Sequence, residues 1–283
     1  ELAADPEHPE QNPVLFQEPG GRLWVLHTTS EPHDQKTASI VYRTSDDRGF
    51  TWSETKVLFD DKPGIFLRSP IVVMSNGDWL LPVYYCEKDG HYSVVKISTD
   101  EGKTWTEYEV ANALHRVQMT VVEVEEGKLF AMFRSRQTDR IYATESTDFG
   151  RTWTPVYKTE LPNNNSSIQL TKLQNGHLAL IFNDATIERD QFRWVGKGEK
   201  IRRKALRTPL TLGISEDGGK TWPYFRNVQI ADLEYKDSEI GYSYPSITQT
   251  TDGKIHIAFS YLRKTIKHVQ VDESWVIENS RFR

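Results

Sequence analysis

Arginines that border short apolar runs are the residues of this sequence best suited to chemistry. Arg68 precedes one such run, Arg134 follows another and Arg207 precedes a third. Guanidinium groups pair bidentately with carboxylates, so arginines that face a common pocket indicate a ligand with a carboxylate, or with a sulfate or phosphate. The alternative is that each arginine forms a structural salt bridge, because surface ion pairs are common and weak.

Two tyrosines lie close to an acidic stretch towards the end of the chain. Tyr242 and Tyr244 follow Asp237 and Glu239 within a few residues. Their rings could pack in a core, or they could face the same pocket as the arginines. The polar residues that precede them favour the second interpretation.

A repeated eight-residue turn indicates which elements must position these side chains. The pattern Ser-x-Asp-x-Gly-x-Thr-Trp occurs four times and ends at Trp52, Trp105, Trp153 and Trp222. Its polar side chains can bond nearby backbone N–H groups, its Gly can take a positive φ, and its Trp can fill the core below the turn. A structural role is therefore favoured over a catalytic one at these turns.

A β-hairpin and a further alternating strand precede each of these turns. In the first unit, residues 13–16 and 23–26 are apolar runs joined by a Gly turn, and residues 39–42 form the third strand. A four-stranded antiparallel unit that recurs roughly every fifty residues is typical of a β-propeller blade. The predicted fold class is therefore all-β, a propeller of four-stranded antiparallel blades with five blade units visible.

The strand directions within a blade place the candidate residues on one face. Residues at the links between blades, at the ends of second strands and at the starts of third strands share the face opposite the repeated turns. This upper face receives Asn12, His27, Arg68, Tyr84, Gln118, Arg134, Arg140, Asn165, Asp184, Arg207, Tyr242 and Tyr261. Concave ligand sites lie at the mouth of such scaffolds, so these residues form the candidate site.

Composition limits the classes of function. The chain has 283 residues, 37% of them hydrophobic, and a formal net charge of −5. This charge gives no electrostatic footprint for nucleic acid, and no apolar run is long enough to span a membrane. Cys86 is the single cysteine and is interpreted as a small buried residue. The insertion 184–207 is predicted to be a lid over a site or a surface arm.

The repeated turn resembles the Asp-box of sialidases (neuraminidases). The segments 12–16, 75–82, 242–247 and 263–269 also resemble sequences of the sialidase-like group, and the resemblance covers nearly the whole chain. It implies a six-bladed propeller whose first blade is largely missing here, since the chain begins in the middle of a blade. The expected domain is a single sialidase-like propeller over residues 1–283, incomplete at its N-terminus. A five-bladed ring closed by the N-terminal strand is the alternative.

The resemblance also implies roles for individual residues. Sialidases bind the substrate carboxylate with three arginines, and Arg134 matches the second of them and Arg207 the third. Tyr242 matches the nucleophile. A neutral phenol suits this reaction because a carboxylate nucleophile would be repelled by the carboxylate of the substrate, and sialidases are a known exception among glycosidases in this respect.

The sequence departs from the family at the groups that transfer protons. Gln118 stands where sialidases have the glutamate beside the tyrosine, and an amide cannot accept a proton. Glu239 or Asp237 could take that role. The first arginine and the acid aspartate have no counterpart, so cleavage of a simple aryl sialoside is expected to be slow or absent.

Three classes of function stay open at this point. The favoured hypothesis is a sialidase-like glycoside hydrolase that acts on a terminal sugar bearing a carboxylate, with Tyr242, Gln118 and Glu239 as catalytic candidates. The substrate-binding candidates are Arg134, Arg207, Arg68, Tyr244, Asn12 and Asp184. The alternatives are a hydrolase or lyase for another acidic glycan, such as a uronate, and a propeller that binds glycans or proteins without catalysis. The expected partner is an acidic glycan or glycoconjugate. We expect no bound metal or cofactor, and neither nucleic acid nor a membrane as a partner. The chain is predicted to be soluble, and the sequence assigns it to no particular compartment.

Overall fold

The protein is described by a computed structural model over residues 5, 7–189, 191–196, 201–231, 241–278 and 280. Within these residues, the structure is almost entirely antiparallel β-sheet, with short 3₁₀ turns at Gln35–Thr37 and Ile187–Arg189 and one short α-helix. The chain divides into two compact units. The first comprises Glu1–Met119, Glu126–Lys128 and Ser146–Pro155, and the second comprises Thr120–Glu125, Leu129–Glu145 and Val156–Arg283.

The first sheet contains strands in simple sequential order. They are β1 (Glu10–Gln17), β2 (Leu23–Thr29), β3 (Ser39–Ser45) and β4 (Lys56–Phe59). Alternation decides which side chains enter the core: Trp24 and Leu26 point inwards from β2, while Val25 and His27 point to the opposite face. A turn at Gly21, with φ of +94°, joins β1 to β2 and lets the hairpin close tightly.

The second sheet differs from the first in that two short strands take the place of its first strand. It contains β5 (Ile65–Leu67), β6 (Val72–Val73), β7 (Trp79–Glu87), β8 (Gly90–Ser98) and β9 (Thr106–Leu114). Strands β5 and β6 pair separately with β7 and are divided by residues 68–71, which include Pro70. Proline has no N–H to donate to the ladder, which accounts for the break.

The remaining sheets follow the same sequential order. The third contains β10 (Arg116–Glu125), β11 (Lys128–Ser135), β12 (Arg140–Ser146) and β13 (Tyr157–Pro162). The fourth contains β14 (Gln169–Lys172), β15 (Leu178–Asn183), β18 (Leu210–Ser215) and β19 (Tyr224–Gln229), with the hairpin β16 (Phe192–Val195) and β17 (Arg202–Ala205) inserted between β15 and β18. The fifth contains β20 (Tyr242–Gln249), β21 (Ile255–Tyr261) and β22 (Thr265–Val271), and α1 (Glu273–Ile277) follows it.

The four repeated turns have the structural role that the sequence predicts. In the first turn, the Thr51 backbone N–H donates to Asp47 Oδ1 (2.8 Å) and the Thr51 hydroxyl donates to Asp47 Oδ2 (2.6 Å). The Trp52 indole N–H donates to the Gly49 carbonyl oxygen at 3.0 Å. The same bonds recur in the other three turns, which confirms the interpretation.

In the first and fourth sheets, the repeated turn lies at the end of the sheet opposite the candidate site residues. In the fourth sheet, Leu178 pairs with Ser215, where the turn begins, whereas Asn183 pairs with Leu210 at the other end. In the first sheet, Leu23 pairs with Ser45 and Thr29 with Ser39 in the same sense. The predicted arrangement is therefore confirmed within these sheets.

The described residues of each unit bury their own apolar clusters. In the first unit, Trp79 contacts Trp24 and Phe16 edge to face, with ring centroids 5.9 and 5.0 Å apart. In the second unit, one cluster lies around Phe130, Phe182 and Phe225, and another around Tyr242 and Phe259. These cores fix the strand ends from which the candidate side chains project.

Candidate functional site

Arg207 is the centre of the candidate site in the second unit. It follows β17 and forms an isolated parallel bridge with Gly241, and the Tyr242 backbone N–H donates to the Arg207 carbonyl oxygen at 2.9 Å. A Cβ atom on Gly241 would lie 2.9 Å from the Arg207 Cβ atom. The glycine is thus required for the close approach that places Arg207 beside the start of β20.

The electrostatic setting of Arg207 suits an anionic ligand. Among the described residues, no carboxylate lies within salt-bridge distance of its guanidinium group. Burial lowers the pKa of Arg207, the neighbouring Tyr244 opposes this change, and the charge of Arg263 adds to it. Because a partly desolvated cation is costly without a counter-charge, a bound carboxylate would be stabilising here.

Further basic side chains surround Arg207. A small recess is lined by Arg193, Lys204, Ala205, Leu206, Arg207, Gly241, Ser243 and Arg263. Arg193 and Lys204 face each other across the β16–β17 hairpin, on the side of the hairpin opposite Phe192 and Trp194. The 184–207 insertion therefore contributes a basic face to this recess.

The two candidate tyrosines occupy different environments. Tyr242 is only 2% exposed, its ring stacks on Tyr261 with centroids 5.5 Å apart, and its hydroxyl donates to the Ile230 carbonyl oxygen at 3.3 Å. Burial raises the pKa of Tyr242. Tyr244 is 43% exposed, and the Arg207 guanidinium carbon lies 6.0 Å from its ring centroid. Tyr244 is thus the tyrosine of the two that a ligand at Arg207 can reach.

Asparagine side chains position the other second-unit candidates. Arg134 is buried at the end of β11, and its Nε atom donates to Asn165 Oδ1 at 2.9 Å. Asn163 Oδ1 in turn accepts from the backbone N–H groups of Ser135 (3.1 Å) and Asn165 (3.0 Å). This network holds the Arg134 guanidinium group in one orientation.

Asp184 is engaged by the insertion that follows it. Its Oδ1 atom accepts from Arg189 Nη1 at 2.8 Å. The preceding residue, Asn183, is buried and donates through Nδ2 to the Tyr242 carbonyl oxygen at 3.1 Å. Asp184 therefore lies in an ion pair, and Asn183 ties β15 to the strand that carries both tyrosines.

Asn12, Arg68 and Gln118 belong to the first unit. Arg68 and Gln118 are buried, and Asn12 and Gln118 both have φ of +54°. Glu239 and Asp237 lie outside the described residues. The roles predicted for these five residues stay predictions.

Several candidate site residues share a left-handed backbone conformation that the sequence analysis did not predict. Asn12, Gln118, Asn165 and Tyr244 have φ between +51° and +57° near the start of a sheet, a conformation that is uncommon for residues other than glycine. Register shifts accompany it at Gln11/Val14 and at Ser243/Ser246. Tyr244, rather than Tyr242, therefore corresponds to Asn12. The dipeptides Asn12-Pro13 and Tyr244-Pro245 carry this signal in the sequence.

Two further properties of the described residues bear on the classes of site. No group of three or more His, Cys, Asp or Glu side chains in this part of the chain is placed to hold a metal ion. Nor does any helix within it have the length and apolar character needed to cross a membrane.

Comparison with known proteins identifies the class of protein. A family described as BNR repeat-like domain matches residues 1–257, and the chain belongs to this family. No curated protein matches the sequence. The matches to solved structures are extensive, and three of them show what the fold resembles.

The first is a sialidase described as the Hadza microbial sialidase Hz136, with a TM-score of 0.76 and 19% identity; the match covers 95% of this chain and 54% of that one. The second is the intramolecular trans-sialidase of Ruminococcus gnavus in complex with oseltamivir carboxylate, with a TM-score of 0.69, 14% identity and coverage of 96% and 80%. The third is a protein of unknown function from Dyadobacter fermentans, with a TM-score of 0.70, 15% identity and coverage of 96% and 81%.

These likenesses confirm the predicted fold class. The protein is all-β and has a sialidase-like β-propeller fold whose described residues form five blade sheets. The chain spans about half the length of the Hz136 sialidase. At these identities the similarity concerns the fold, and activity has to be argued from the site.

Proposed function

We propose that this protein recognises a terminal sugar that bears a carboxylate and acts on it as a sialidase-like glycoside hydrolase. The single observation that carries the proposal is Arg207, a partly buried guanidinium group with no described carboxylate in salt-bridge distance and with Tyr244 beside it. Membership of the BNR repeat-like family and the sialidase-like fold support the same class of ligand.

In this proposal the arginines bind and orient the substrate. Arg207 pairs with the sugar carboxylate, Arg134 supplies a second guanidinium group, and Arg193 extends the positive charge along the inserted hairpin. Bidentate pairing would fix the plane of the carboxylate and thereby the orientation of the ring. The exposed ring of Tyr244 offers a surface against which a sugar can pack.

Catalysis would require a tyrosine hydroxyl to reach the anomeric carbon. The Tyr244 ring is accessible and lies beside the Arg207 guanidinium group. The Tyr242 hydroxyl would have to leave its hydrogen bond with the Ile230 carbonyl oxygen first. The proposal therefore assigns contact with the sugar to Tyr244 and leaves the nucleophile to be decided between the two tyrosines by experiment.

Binding is tested with free sialic acid and free glucuronic acid, titrated by calorimetry. Arg207→Ala is expected to weaken the better ligand by about 10–100-fold, since a hydrogen bond to a charged group contributes about 1.5–3 kcal/mol. Arg203→Ala is the matched control, because Arg203 lies over the Phe192 ring on the other face of the same hairpin. Equal affinities in the wild type and both variants would refute the carboxylate site.

Turnover is tested separately with a fluorogenic sialoside and a fluorogenic glucuronide. The wild type, Tyr242→Phe, Tyr244→Phe and Gln118→Glu are compared side by side. Proton transfer by a positioned group contributes roughly 10²–10⁴ in rate, so slow wild-type turnover that rises in Gln118→Glu is expected. Fast wild-type turnover lost in one Tyr→Phe variant alone would identify the nucleophile.

A second candidate function is glycan binding without hydrolysis. It is favoured by one observation, the burial of Tyr242 with its hydroxyl turned to a backbone carbonyl. Retained calorimetric binding together with an absence of turnover on both fluorogenic substrates would select this function.

A further inference from the structure

The recess beside Arg207 is lined by more positive charge than one acidic group can balance. Its basic side chains are those of Arg193, Lys204, Arg207 and Arg263, and its described lining contains no aspartate or glutamate. A ligand with a single carboxylate brings one negative charge to these four positive groups. The composition of the recess therefore favours a ligand with more than one anionic group.

Two of these basic side chains lie opposite each other on the inserted hairpin. Arg193 of β16 pairs with Lys204 of β17, and both side chains line the recess. Like charges directly opposite each other in an antiparallel pair are destabilising. The charge of Arg263 acts on Arg207 in the same sense, since it adds to the lowering of the Arg207 pKa that burial causes. An anion bound among these groups would relieve both repulsions.

The aromatic contacts of the hairpin lie on its other face. There Phe192 and Trp194 meet edge to face, with ring centroids 5.7 Å apart, and the Arg203 guanidinium carbon lies 5.2 Å from the Phe192 ring centroid. Arg193 takes no part in these contacts, and among the described residues no carboxylate lies within salt-bridge distance of it. Neither the packing of the hairpin nor an ion pair of the described chain therefore accounts for Arg193 at the recess.

The spacing of the basic residues separates two binding positions. Lys204 precedes Arg207 by three residues, which is at most about 10 Å of extended chain at about 3.3 Å per residue. Arg193 is the partner of Lys204 across the hairpin and lies level with it. The recess has a volume of about 20 Å³, room for about one water-sized group, so a sugar ring stays outside and only its substituents enter. One anionic group at Arg207 and a second towards Arg193 and Lys204 would thus belong to neighbouring sugars.

We propose that the ligand of the Arg207 site carries a second anionic group, a carboxylate or a sulfate, on the sugar next to its terminal acidic sugar, and that Arg193 and Lys204 bind this group. The inference rests on the proposed function, because Arg207 binds the carboxylate of the terminal sugar there. It narrows the substrate class from any glycan with one acidic end to glycans that are acidic at two adjacent sugars.

Matched ligands isolate the second anionic group. Sialyllactose is compared with the same trisaccharide sulfated on galactose and with α2,8-linked disialic acid, and the disaccharide of glucuronic acid and N-acetylgalactosamine is compared with its 6-sulfate. Binding to the full chain is measured by calorimetry at one salt concentration. In the series that binds, we expect the ligand with two anionic groups to bind at least about 10-fold more tightly, because it gains charge-assisted hydrogen bonds that its partner lacks.

Three variants with the same change in net charge make the result specific. Arg193→Gln and Lys204→Gln are each expected to remove most of the difference between the doubly and the singly charged ligand. Arg203→Gln is the matched control and is expected to keep the difference, since Arg203 lies on the opposite face of the hairpin. Arg207→Ala is expected to weaken the singly charged ligand as well, which tests the proposed function separately.

The outcomes separate this inference from the proposed function. Equal binding of singly and doubly charged ligands would overturn the second binding position and leave the proposed function in place, whereas no binding of any ligand would overturn both. A difference that falls as far in Arg203→Gln would show that net charge alone produces the preference. Competition by inorganic sulfate at the concentration of the glycan would show that the recess takes a free ion. Either of these two results would overturn the second binding position.

Discussion

Gly219 of the fourth repeated turn offers a quantitative test of why these turns need glycine at this place. Its φ is +96°, and a Cβ atom built on it would lie 2.7 Å from Phe130 Cζ and closer still to Cε1. Phe130 is a buried member of the second-unit core and has little room to move. The residue therefore has to be glycine for two reasons, its backbone conformation and its contact with an aromatic ring.

The two reasons predict a magnitude for Gly219→Ala. A left-handed backbone costs alanine about 1 kcal/mol relative to glycine, and overpacking a core costs about 1–3 kcal/mol. The sum is a loss of about 2–4 kcal/mol in the free energy of unfolding. Gly218→Ala is the matched control, because Gly218 also has a positive φ, +74°, but has nothing within 4 Å of its Cβ position. It is expected to lose about 1 kcal/mol.

Urea unfolding followed by tryptophan fluorescence measures both variants under one set of conditions. The midpoint is expected to fall much further for Gly219→Ala than for Gly218→Ala, with unchanged slopes. Equal destabilisation of the two variants would show that backbone strain accounts for the whole effect and would refute the argument from contact with Phe130.

Two further predictions concern acid stability and the buried tyrosine. Hydrogen bonds from Thr51 and Thr104 lower the pKa of Asp47 and of Asp100 to about 2. Because each pKa in the folded protein lies below the ordinary value near 4, the two carboxylates stabilise the fold at neutral pH, and this stabilisation is lost between about pH 4 and pH 2. Thermal unfolding of the wild type and of Asp47→Asn across that range is expected to show a flatter pH dependence of stability in the variant. Tyr242→Phe is expected to change the unfolding free energy by no more than about 1 kcal/mol, because it removes one long hydrogen bond to the Ile230 carbonyl oxygen; a loss above 2 kcal/mol in urea titration would contradict this.

The elements with strong local signals were predictable from the sequence. The repeated turns carry their hydrogen-bonding partners within a few residues, and the hairpins alternate with clear Gly turns, so both are read correctly. The break between β5 and β6 and the helix α1 were not expected, since the first depends on Pro70 within a paired sheet and the second is a single short helix after the last strand.

The site was harder to predict because it depends on backbone geometry that distant pairing imposes. The resemblance assigned the nucleophile to Tyr242 and substrate binding to Tyr244, whereas the register shift between Ser243 and Ser246 decides which of the two rings is buried. The basic face of the β16–β17 hairpin follows from strand pairing that the charged insertion does not reveal.

The local closure of the repeated turns has a consequence for how the protein folds. Each turn joins its serine, aspartate, threonine and tryptophan within eight residues, as in Ser45 to Trp52, without help from another sheet. Contacts of such short sequence separation close quickly and at small entropic cost. The four turns are thus expected to be structured early, as separate initiation points along a chain whose sheet pairings form between strands that are mostly adjacent in sequence. Folding of this propeller would then proceed blade by blade.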